Sequence, residues 1–261
     1  MKIATFNING IRARIETLTG WLTEAQPDVV VLQEIKTQDE SFPHEPIADL
    51  GYNIETHGQK GFNGVAILSK YPIEDVMRGL PGDDSDGQAR YIEATVVGER
   101  AIRIAGLYLP NGNPQPGPKF DYKLAWMTRL RAHARTLRDS EMPAVMLGDY
   151  NVIPEPRDAA HPEKWQEDAL FQPESRAAFR RLLHDGWSDA IRLRDPDSVR
   201  GPFTFWDYQA GAWQRDNGIR IDHILLSPQA ADLLVDLGID RDERAKDKPS
   251  DHVPVWALLD A

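Results

Sequence analysis

Acidic, amide and histidine side chains stand at or beside several short apolar runs of this chain. They are Asn7, Glu34, Tyr108, Asp149, Asn151, Asp222, Asp251 and His252. A single Asp or Asn after a strand most often caps a helix or begins a turn. The ends of several strands can converge on one place, however, and together these groups could bind a divalent cation and transfer protons.

Glu34 follows Gln33 and the apolar run of residues 29–32. Burying an unpaired carboxylate is costly, so a cation or a basic side chain is expected beside it. One or two carboxylates, completed by water and phosphate oxygens, are the ligands that Mg²⁺ prefers. We therefore predict that Glu34 is a metal ligand, with an ion pair to Lys36 or to an arginine as the alternative.

Asp149 and Asn151 are two residues apart, so both side chains project to the same face of an extended segment. Gly148 before them allows a close approach of another backbone. An acid and an amide in this arrangement could orient a water molecule and hold a phosphate oxygen. The alternative is an Asx turn that leads into the following loop.

His252 lies beside Asp251 just before an apolar run. It could be a base, a phosphate ligand or part of a capped turn. Asp222 is a plausible partner, since a carboxylate on one imidazole nitrogen fixes the tautomer and leaves the other nitrogen for a substrate. His223 would point to the opposite strand face and is interpreted as a packing residue.

Phe205 and Trp206 are neighbours, so one aromatic side chain can face the core while the other lines a cleft. Core packing is the simpler interpretation. With Ile219 and Ile221, the cleft-facing ring could form an apolar wall that accepts a sugar without its base and excludes a normal nucleotide by size.

These side chains need strands to position them, and the hydrophobic pattern predicts eight. The predicted strands cover residues 3–6, 29–32, 65–68, 91–97, 102–109, 144–147, 221–226 and 253–259. Several are apolar nearly throughout, which is typical of strands covered on both faces. Helical spacing is found at residues 11–25, at residues 124–137 and over residues 173–183. The order of elements predicts an α+β layered sandwich.

The composition is that of an ordinary globular protein, with 41% hydrophobic residues and no cysteine. Disulfides and thiolate metal sites are therefore excluded. We expect no membrane segment and a cytoplasmic location. The formal net charge of −11 is opposite to that of a general nucleic-acid binder, so any such binding must be local. A basic face could comprise Arg12, Arg14, Lys60, Arg90, Lys119, Lys123 and Arg200, with scattered solvated charges as the alternative.

Six segments, taken in order, resemble the motif set of the exonuclease III family of AP endonucleases, within the endonuclease/exonuclease/phosphatase superfamily. They are FNINGIR at 6–12, LQEIK at 32–36, YLPNG at 108–112, GDYN at 148–151, RIDH at 220–223 and PSDH at 249–252. The resemblance runs over nearly the whole chain. It implies one catalytic domain over residues 1–261, folded as a four-layered αββα sandwich with two packed, mainly antiparallel sheets.

The resemblance also implies roles for individual residues. Glu34 would be the principal Mg²⁺ ligand, with Mn²⁺ as an alternative ion, and Asn7 and Asp251 would lie near the metal. Asp149 would activate the attacking water or protonate the leaving group. His252 would stabilise the transition state or act as a general base. Further roles are phosphate contacts by Tyr108 and Asn151, support of His252 by Asp222, and substrate binding by Arg90, Phe205, Trp206, Ile219 and Ile221.

The implied activity is hydrolysis of duplex DNA on the 5′ side of abasic sites, with 3′–5′ exonuclease and 3′-phosphatase action on blocked ends. We expect a monomer that associates with the nucleoid when it acts. A superfamily phosphatase acting on inositol phosphates or lipid head groups is the alternative, since the acidic net charge does not favour DNA.

Overall fold

Twelve strands form two six-stranded sheets in the computed structural model, which describes residues 1–261. The first sheet contains β1 (Lys2–Asn7), β2 (Val29–Gln33), β3 (Asn53–His57), β4 (Val65–Ser69), β11 (Leu234–Ile239) and β12 (Val255–Leu259). The second contains β5 (Ile73–Arg78), β6 (Tyr91–Val97), β7 (Ala101–Tyr108), β8 (Ala144–Asp149), β9 (Ser188–Asp189) and β10 (Asp222–Leu226).

Both sheets are mainly antiparallel, as predicted. The strand orders are β11-β12-β1-β2-β4-β3 and β5-β6-β7-β8-β10-β9. Each sheet has one parallel pair at its centre, β1 with β2 and β7 with β8. All other neighbours are antiparallel. The carboxyl ends of each parallel pair therefore lie together at one edge.

The central strands are apolar on both faces because both faces are covered. Val29 and Val31 of β2 join a cluster between the two sheets, together with Ile104 and Val145 of the second sheet. The alternating residue Val30 belongs to a separate cluster under the first helix. This alternation is the pleat of a strand, with successive side chains on opposite faces.

Helices cover the outer face of each sheet and complete four layers. The α-helices are α1 (Ile15–Ala25), α2 (Glu45–Ala48), α3 (Pro118–Asp139), α4 (Pro173–His184), α5 (Ala190–Arg194) and α6 (Pro228–Ala231). Leu18 and Trp21 of α1 pack on the first sheet. Leu130 of α3 and Phe179 of α4 pack on the second. The predicted αββα sandwich is confirmed.

All eight predicted strands and all three predicted helices are present, with ends that differ by a few residues. The last strand begins at Val255 because Pro254 has no N–H to donate. The first helix begins as a 3₁₀ turn over Ile11–Arg14 before α1. Strands β3, β5, β9 and β11 were not predicted. None of the helices is both long and apolar enough to cross a bilayer.

Candidate active site

The predicted chemical residues meet at the edge where the two parallel pairs end. Asn7 is the last residue of β1, and Glu34 follows the last residue of β2. Tyr108 and Asp149 end β7 and β8, where they are register partners. Asp222 begins the antiparallel β10 opposite Asp149. Sheet topology alone therefore gathers groups that are up to 215 positions apart in sequence.

Local backbone geometry turns the chain sharply at this edge. Glu34 has φ of 51° and Asn151 has φ of 47°, in the left-handed region. At Gly148, a Cβ atom would lie 1.9 Å from the carbonyl oxygen of Leu107. Only glycine permits that approach, which holds β8 against β7 just before Asp149. The predicted close approach at Gly148 is confirmed.

Asn7 links the carboxylates of the two sheets. Its Nδ2 donates to Glu34 Oε1 at 2.9 Å and to Asp149 Oδ2 at 3.0 Å. Lys36 Nζ lies 2.8 Å from Glu34 Oε2, so the ion pair weighed as an alternative is present. The Asn7 amide thus sets the spacing between Glu34 and Asp149.

Asp222, His252 and Asp149 form a buried chain of polar groups. His252 Nδ1 lies 2.9 Å from Asp222 Oδ2 and 3.1 Å from Oδ1. His252 Nε2 lies 3.7 Å from Asp149 Oδ2. Asp222 thereby fixes the orientation of the imidazole, and Nε2 faces the site. The structure confirms the predicted pairing of Asp222 with His252.

The two carboxylates that face one another differ in electrostatics. Burial raises the pKa of Asp149, to which the Asp222 and Glu34 charges also contribute, while His252 opposes the rise. Burial likewise acts on Glu34, but hydrogen bonds from Lys36 and Asn7 prevail and lower its pKa. Burial lowers the pKa of His252, but Asp222 and Asp149 outweigh it and raise the pKa to about 10. Glu34 is therefore held charged, whereas burial favours the protonated form of Asp149 and the neighbouring carboxylates favour the charged form of His252.

One oxygen of Glu34, one of Asp149 and a ring nitrogen of His252 lie within 4.8 Å of one another. This donor set fits a divalent cation, because it joins a charged, partly open carboxylate to a second acidic oxygen. Asp251 lies outside the group. Its Oδ1 accepts hydrogen bonds from Asn9 Nδ2 at 3.0 Å and from the Ser250 hydroxyl at 3.3 Å.

Asn151 is held by the loop after β7. Its Nδ2 donates to the carbonyl of Leu109 at 2.9 Å, and its Oδ1 accepts from Asn111 Nδ2 at 3.2 Å. Its backbone N–H donates to Asp149 Oδ1 at 2.9 Å, which is the predicted Asx turn. The acid and amide are therefore both oriented by a turn, so the two interpretations of this segment coexist.

Tyr108 is half-buried beside Arg90. The Arg90 guanidinium lies 4.9 Å from the Tyr108 ring, and its Nη1 donates to the Tyr108 carbonyl at 3.2 Å. Burial raises the pKa of Tyr108, and the Glu34 and Asp149 charges raise it further. The phenol is thus a hydrogen-bond donor at the rim of the carboxylate cluster.

Phe205 lines a cleft of about 430 Å³ next to His252, and its ring centroid is 5.0 Å from the imidazole. Trp165 and Ile219 line the same cleft. Ile221 packs beneath it in the same apolar cluster. The predicted division between the two neighbouring aromatic side chains is confirmed, with Phe205 on the cleft side.

Trp206 has to be withdrawn from the predicted substrate contacts. Its side chain is fully buried, packs edge-on against Trp213 at 5.0 Å and donates from Nε1 to Asp216 at 3.2 Å. Strand-like alternation directs it away from Phe205 and into the core. A wholly covered indole offers no surface to a ligand.

Two further predictions concern buried basic and imidazole groups. His223 is fully buried, as predicted, and its Nε2 lies 3.0 Å from the carbonyl of Val152. Lys123 was placed on a basic face, which is wrong because its side chain is completely buried beneath the site. The spacing of Lys123 from Phe120, Trp126 and Leu130 on α3 was the signal that could have shown this.

Asn9 and Thr204 are site residues that the sequence did not single out. Asn9 contacts both Asp251 and Lys36. The Thr204 hydroxyl accepts from the backbone N–H groups of Ile221 at 3.1 Å and Asp222 at 3.2 Å. Asn9 lay within a recognised motif, whereas Thr204 had no signal in its sequence context.

A two-sheet sandwich with clustered carboxylates and an oriented imidazole where the central strands end is typical of a phosphoester hydrolase. The Endonuclease/Exonuclease/phosphatase family model matches residues 4–252, and the chain belongs to this family. It is 38% identical over 265 residues to the exodeoxyribonuclease III of Haemophilus influenzae, across 98% of this chain and 99% of that protein.

Two solved structures extend the comparison to the fold. An AP endonuclease from Archaeoglobus fulgidus is 38% identical, with a TM-score of 0.94 over 100% of both chains. The 3′ phosphatase NExo from Neisseria, solved with a product DNA hairpin, gives the same identity, TM-score and coverage. The resemblance to exonuclease III relatives is therefore confirmed.

Proposed function

We propose that the protein is a DNA-repair phosphodiesterase that cuts duplex DNA on the 5′ side of abasic sites and removes blocking groups and nucleotides from 3′ ends. The observation that carries the proposal is the buried chain Asp222–His252–Asp149, which opens onto Glu34. The family relatives support it, because their names cover exodeoxyribonuclease, AP endonuclease and 3′ phosphatase.

The reaction is a single in-line attack of water on phosphorus, without a covalent enzyme intermediate. Asp149 either takes a proton from the attacking water or supplies one to the leaving oxygen, and its raised pKa suits an exchange of protons near neutrality. His252, held by Asp222, donates a hydrogen bond from Nε2 to a phosphate oxygen and stabilises the developing charge. No side-chain nucleophile is needed.

Glu34 is proposed as the principal ligand of a divalent cation, with Asp149 as the second acidic group and Asn7 and Asp251 nearby. We propose Mg²⁺, with Mn²⁺ as an alternative, because the donors are mainly oxygens. When bound, such an ion neutralises phosphate charge and acts as a Lewis acid. The ion pair of Lys36 with Glu34 keeps that carboxylate ionised before the metal arrives.

Tyr108 and Asn151 are proposed to contact the scissile phosphate from the second sheet. Phe205 and Ile219 are proposed to receive the flipped-out abasic sugar, because they line the cleft beside His252. Ile221 supports this wall from below. Arg90 is proposed to approach the DNA backbone next to Tyr108. We propose that residues 1–261 act as one catalytic domain and as a monomer.

The test is incision of a labelled duplex with one abasic analogue, with Mg²⁺ and then with excess chelator. We expect metal-dependent cutting on the 5′ side of the lesion, lost in Asp149→Asn, which excludes a contaminating nuclease. An intact duplex with 3′-phosphate and 3′-hydroxyl ends measures the two end-trimming activities. No cutting of any of these substrates by the metal-replete protein would refute the proposal.

A further inference from the structure

Lys123 is a fully buried lysine that bonds only to main-chain carbonyl oxygens. It lies on the inner face of α3, and its Nζ donates to the carbonyl of Asn151 at 2.5 Å and to that of Asn111 at 2.9 Å. It forms no ion pair with a carboxylate within 4.0 Å. Burying an ammonium group without a charged partner is costly. An apolar side chain of similar length would fill the same space at lower cost, so the two hydrogen bonds must explain the lysine.

The two carbonyl groups belong to different loops of the active site. Asn111 lies in the loop that follows β7, and Asn151 lies just beyond β8. Their side chains also bond to each other, from Asn111 Nδ2 to Asn151 Oδ1 at 3.2 Å. Lys123 therefore joins the main chains of the same two loops whose asparagine side chains are bonded to each other.

The aliphatic part of Lys123 packs closely against the loop after β7. A Cβ atom on Gly112, which has φ of 93°, would lie 2.7 Å from Cδ of Lys123 and 3.1 Å from Cβ of Ala169. The loop after β7 thus lies directly on the aliphatic part of the side chain, and glycine is required there. This close contact fixes Nζ between its two acceptors.

What the lysine holds is the turn that orients the chemical groups. Asn151 has a left-handed backbone conformation, and its N–H donates to Asp149 Oδ1. A shift of the Asn151 carbonyl would move the Cα of Asn151, which joins that carbonyl to the N–H of the Asx turn and carries the side-chain amide. Asp149 would then lose a hydrogen bond that orients its carboxylate.

We propose that Lys123 is a positioning residue for the reaction, which holds the loops after β7 and β8 in the geometry that aims Asp149 and Asn151 at the phosphate. This inference rests on the proposed function of the same site. It requires only N–H donation. Burial lowers the pKa of Lys123 to about 7, against the effect of Asp149 and Asp168, and the neutral amine still has two hydrogens to donate.

The test compares Lys123→Met with Leu130→Ala. Met keeps most of the aliphatic volume of Lys123 but removes the donor. Leu130 lies on the same helix, about two turns beyond Lys123, and is fully buried against the second sheet. The control variant therefore loses packing on α3 but keeps the hydrogen bonds from Lys123 to the two carbonyl groups. Both variants are measured at a temperature at which circular dichroism shows them folded.

For Lys123→Met we expect kcat on the abasic duplex to fall by roughly 10- to 100-fold, as expected when a reacting group is displaced by about 1 Å, with KM changed by less than about threefold. Amide hydrogen exchange should accelerate in residues 109–113 and 150–153. Leu130→Ala should lower Tm at least as much but keep kcat within about threefold of wild type, because it leaves both carbonyl hydrogen bonds of Lys123 in place.

An unchanged kcat in folded Lys123→Met, or a loss matched by Leu130→Ala, would overturn the inference. If the wild-type protein does not incise DNA, the proposed function fails separately. The role of Lys123 is then decided by amide hydrogen exchange. If residues 109–113 and 150–153 are protected equally in the wild type and in Lys123→Met, the inference is overturned. If Lys123→Met loses protection in these residues alone, the inference is supported.

Discussion

The two sheets are built alike but contribute carboxylates of opposite character. Each has a parallel pair at its centre, with two antiparallel strands on either side. An acidic residue stands at the end of the second strand of each pair, Glu34 beyond β2 and Asp149 on β8. Equivalent topology therefore places the two acids opposite one another.

Their surroundings decide what each can do. The Glu34 side chain is 18% exposed and is bonded to Lys36 and Asn7, so its pKa is lowered. The Asp149 side chain is 2% exposed and faces His252, and burial raises its pKa. The comparison teaches that a strand end supplies a position, while the neighbouring side chains set the charge state on which the proposed roles depend: metal ligand for Glu34 and proton transfer for Asp149.

Asp149→Asn should have the largest effect. The amide keeps the shape but cannot exchange a proton, so kcat should fall on the order of 10³-fold. Single-turnover incision at saturating Mg²⁺ measures it, with the exposed Asp242→Asn as a control for loss of surface charge. If the folded variant retained more than about a tenth of wild-type turnover, Asp149 would not be the group that transfers the proton.

Glu34→Gln should have a smaller but diagnostic effect. We expect about a 10²-fold loss at low Mg²⁺ that is partly restored as the ion concentration rises, because the substitution weakens a ligand rather than the proton transfer. Incision rates across a Mg²⁺ titration test this against Asp149→Asn, whose loss should persist at saturating ion. If the Mg²⁺ titration curves of the two variants were identical, Glu34 and Asp149 could not be assigned different roles.

The sequence predicts the central strands of the two sheets better than the edge strands. The run of residues 29–32 is apolar throughout because both faces of β2 are buried, which makes the strand and the layered fold predictable. The missed edge strands, such as β5 with three exposed residues among its six, carry charged and polar side chains that obscure the alternation. In β5 a register shift between Glu74 and Met77 also interrupts the alternation.

Site residues were predictable where a strand end and a motif coincide, as at Asp149, Asp222 and His252. The side toward which Trp206 points was not predictable, because alternation gives two faces without saying which is the core. Lys123 was misplaced because a lysine is ordinarily solvated, and its burial depends on acceptors from loops that are distant in sequence. Tertiary hydrogen bonds leave no local pattern.

Asp222→Asn tests the surroundings of Asp149, because Asp222 holds the imidazole that faces Asp149. We expect kcat to fall by roughly 10-fold or more, because the imidazole loses the charge that orients it. It should also lower the pKa of His252. The folded pKa of about 10 exceeds the usual 6.5, so the stabilisation from the charged imidazole is complete below about pH 6.5 and is lost as the pH rises toward 10.

Urea denaturation with chelator at pH 6 and at pH 9.5 tests this sign. The free energy of unfolding of Asp222→Asn should fall below wild type by more at pH 6 than at pH 9.5. An equal deficit at both values would mean that Asp222 stabilises the fold without acting through the charge of His252, and the proposed support of a charged His252 by Asp222 would have to be abandoned.

Phe205→Ala should have the smallest effect on turnover, because the ring contacts the imidazole at its edge but carries no proton or charge. We expect a few-fold rise in KM for the abasic duplex, from the lost apolar contact with the sugar, and an unchanged Mg²⁺ titration. The neighbouring Trp206→Ala is the matched variant. It should instead lower stability by about 3–5 kcal/mol, because it empties a fully buried position.

A change in Mg²⁺ dependence in Phe205→Ala would show that the Phe205 cleft and the proposed cation site at Glu34 are coupled. The cleft and the carboxylates would then act as one site and not as two separable parts. If only KM changes, the cleft selects the substrate while the carboxylates carry the reaction. Substitutions in the cleft wall should then change the preference among abasic sites, blocked 3′ ends and ordinary 3′ ends without changing the Mg²⁺ dependence that Glu34 sets.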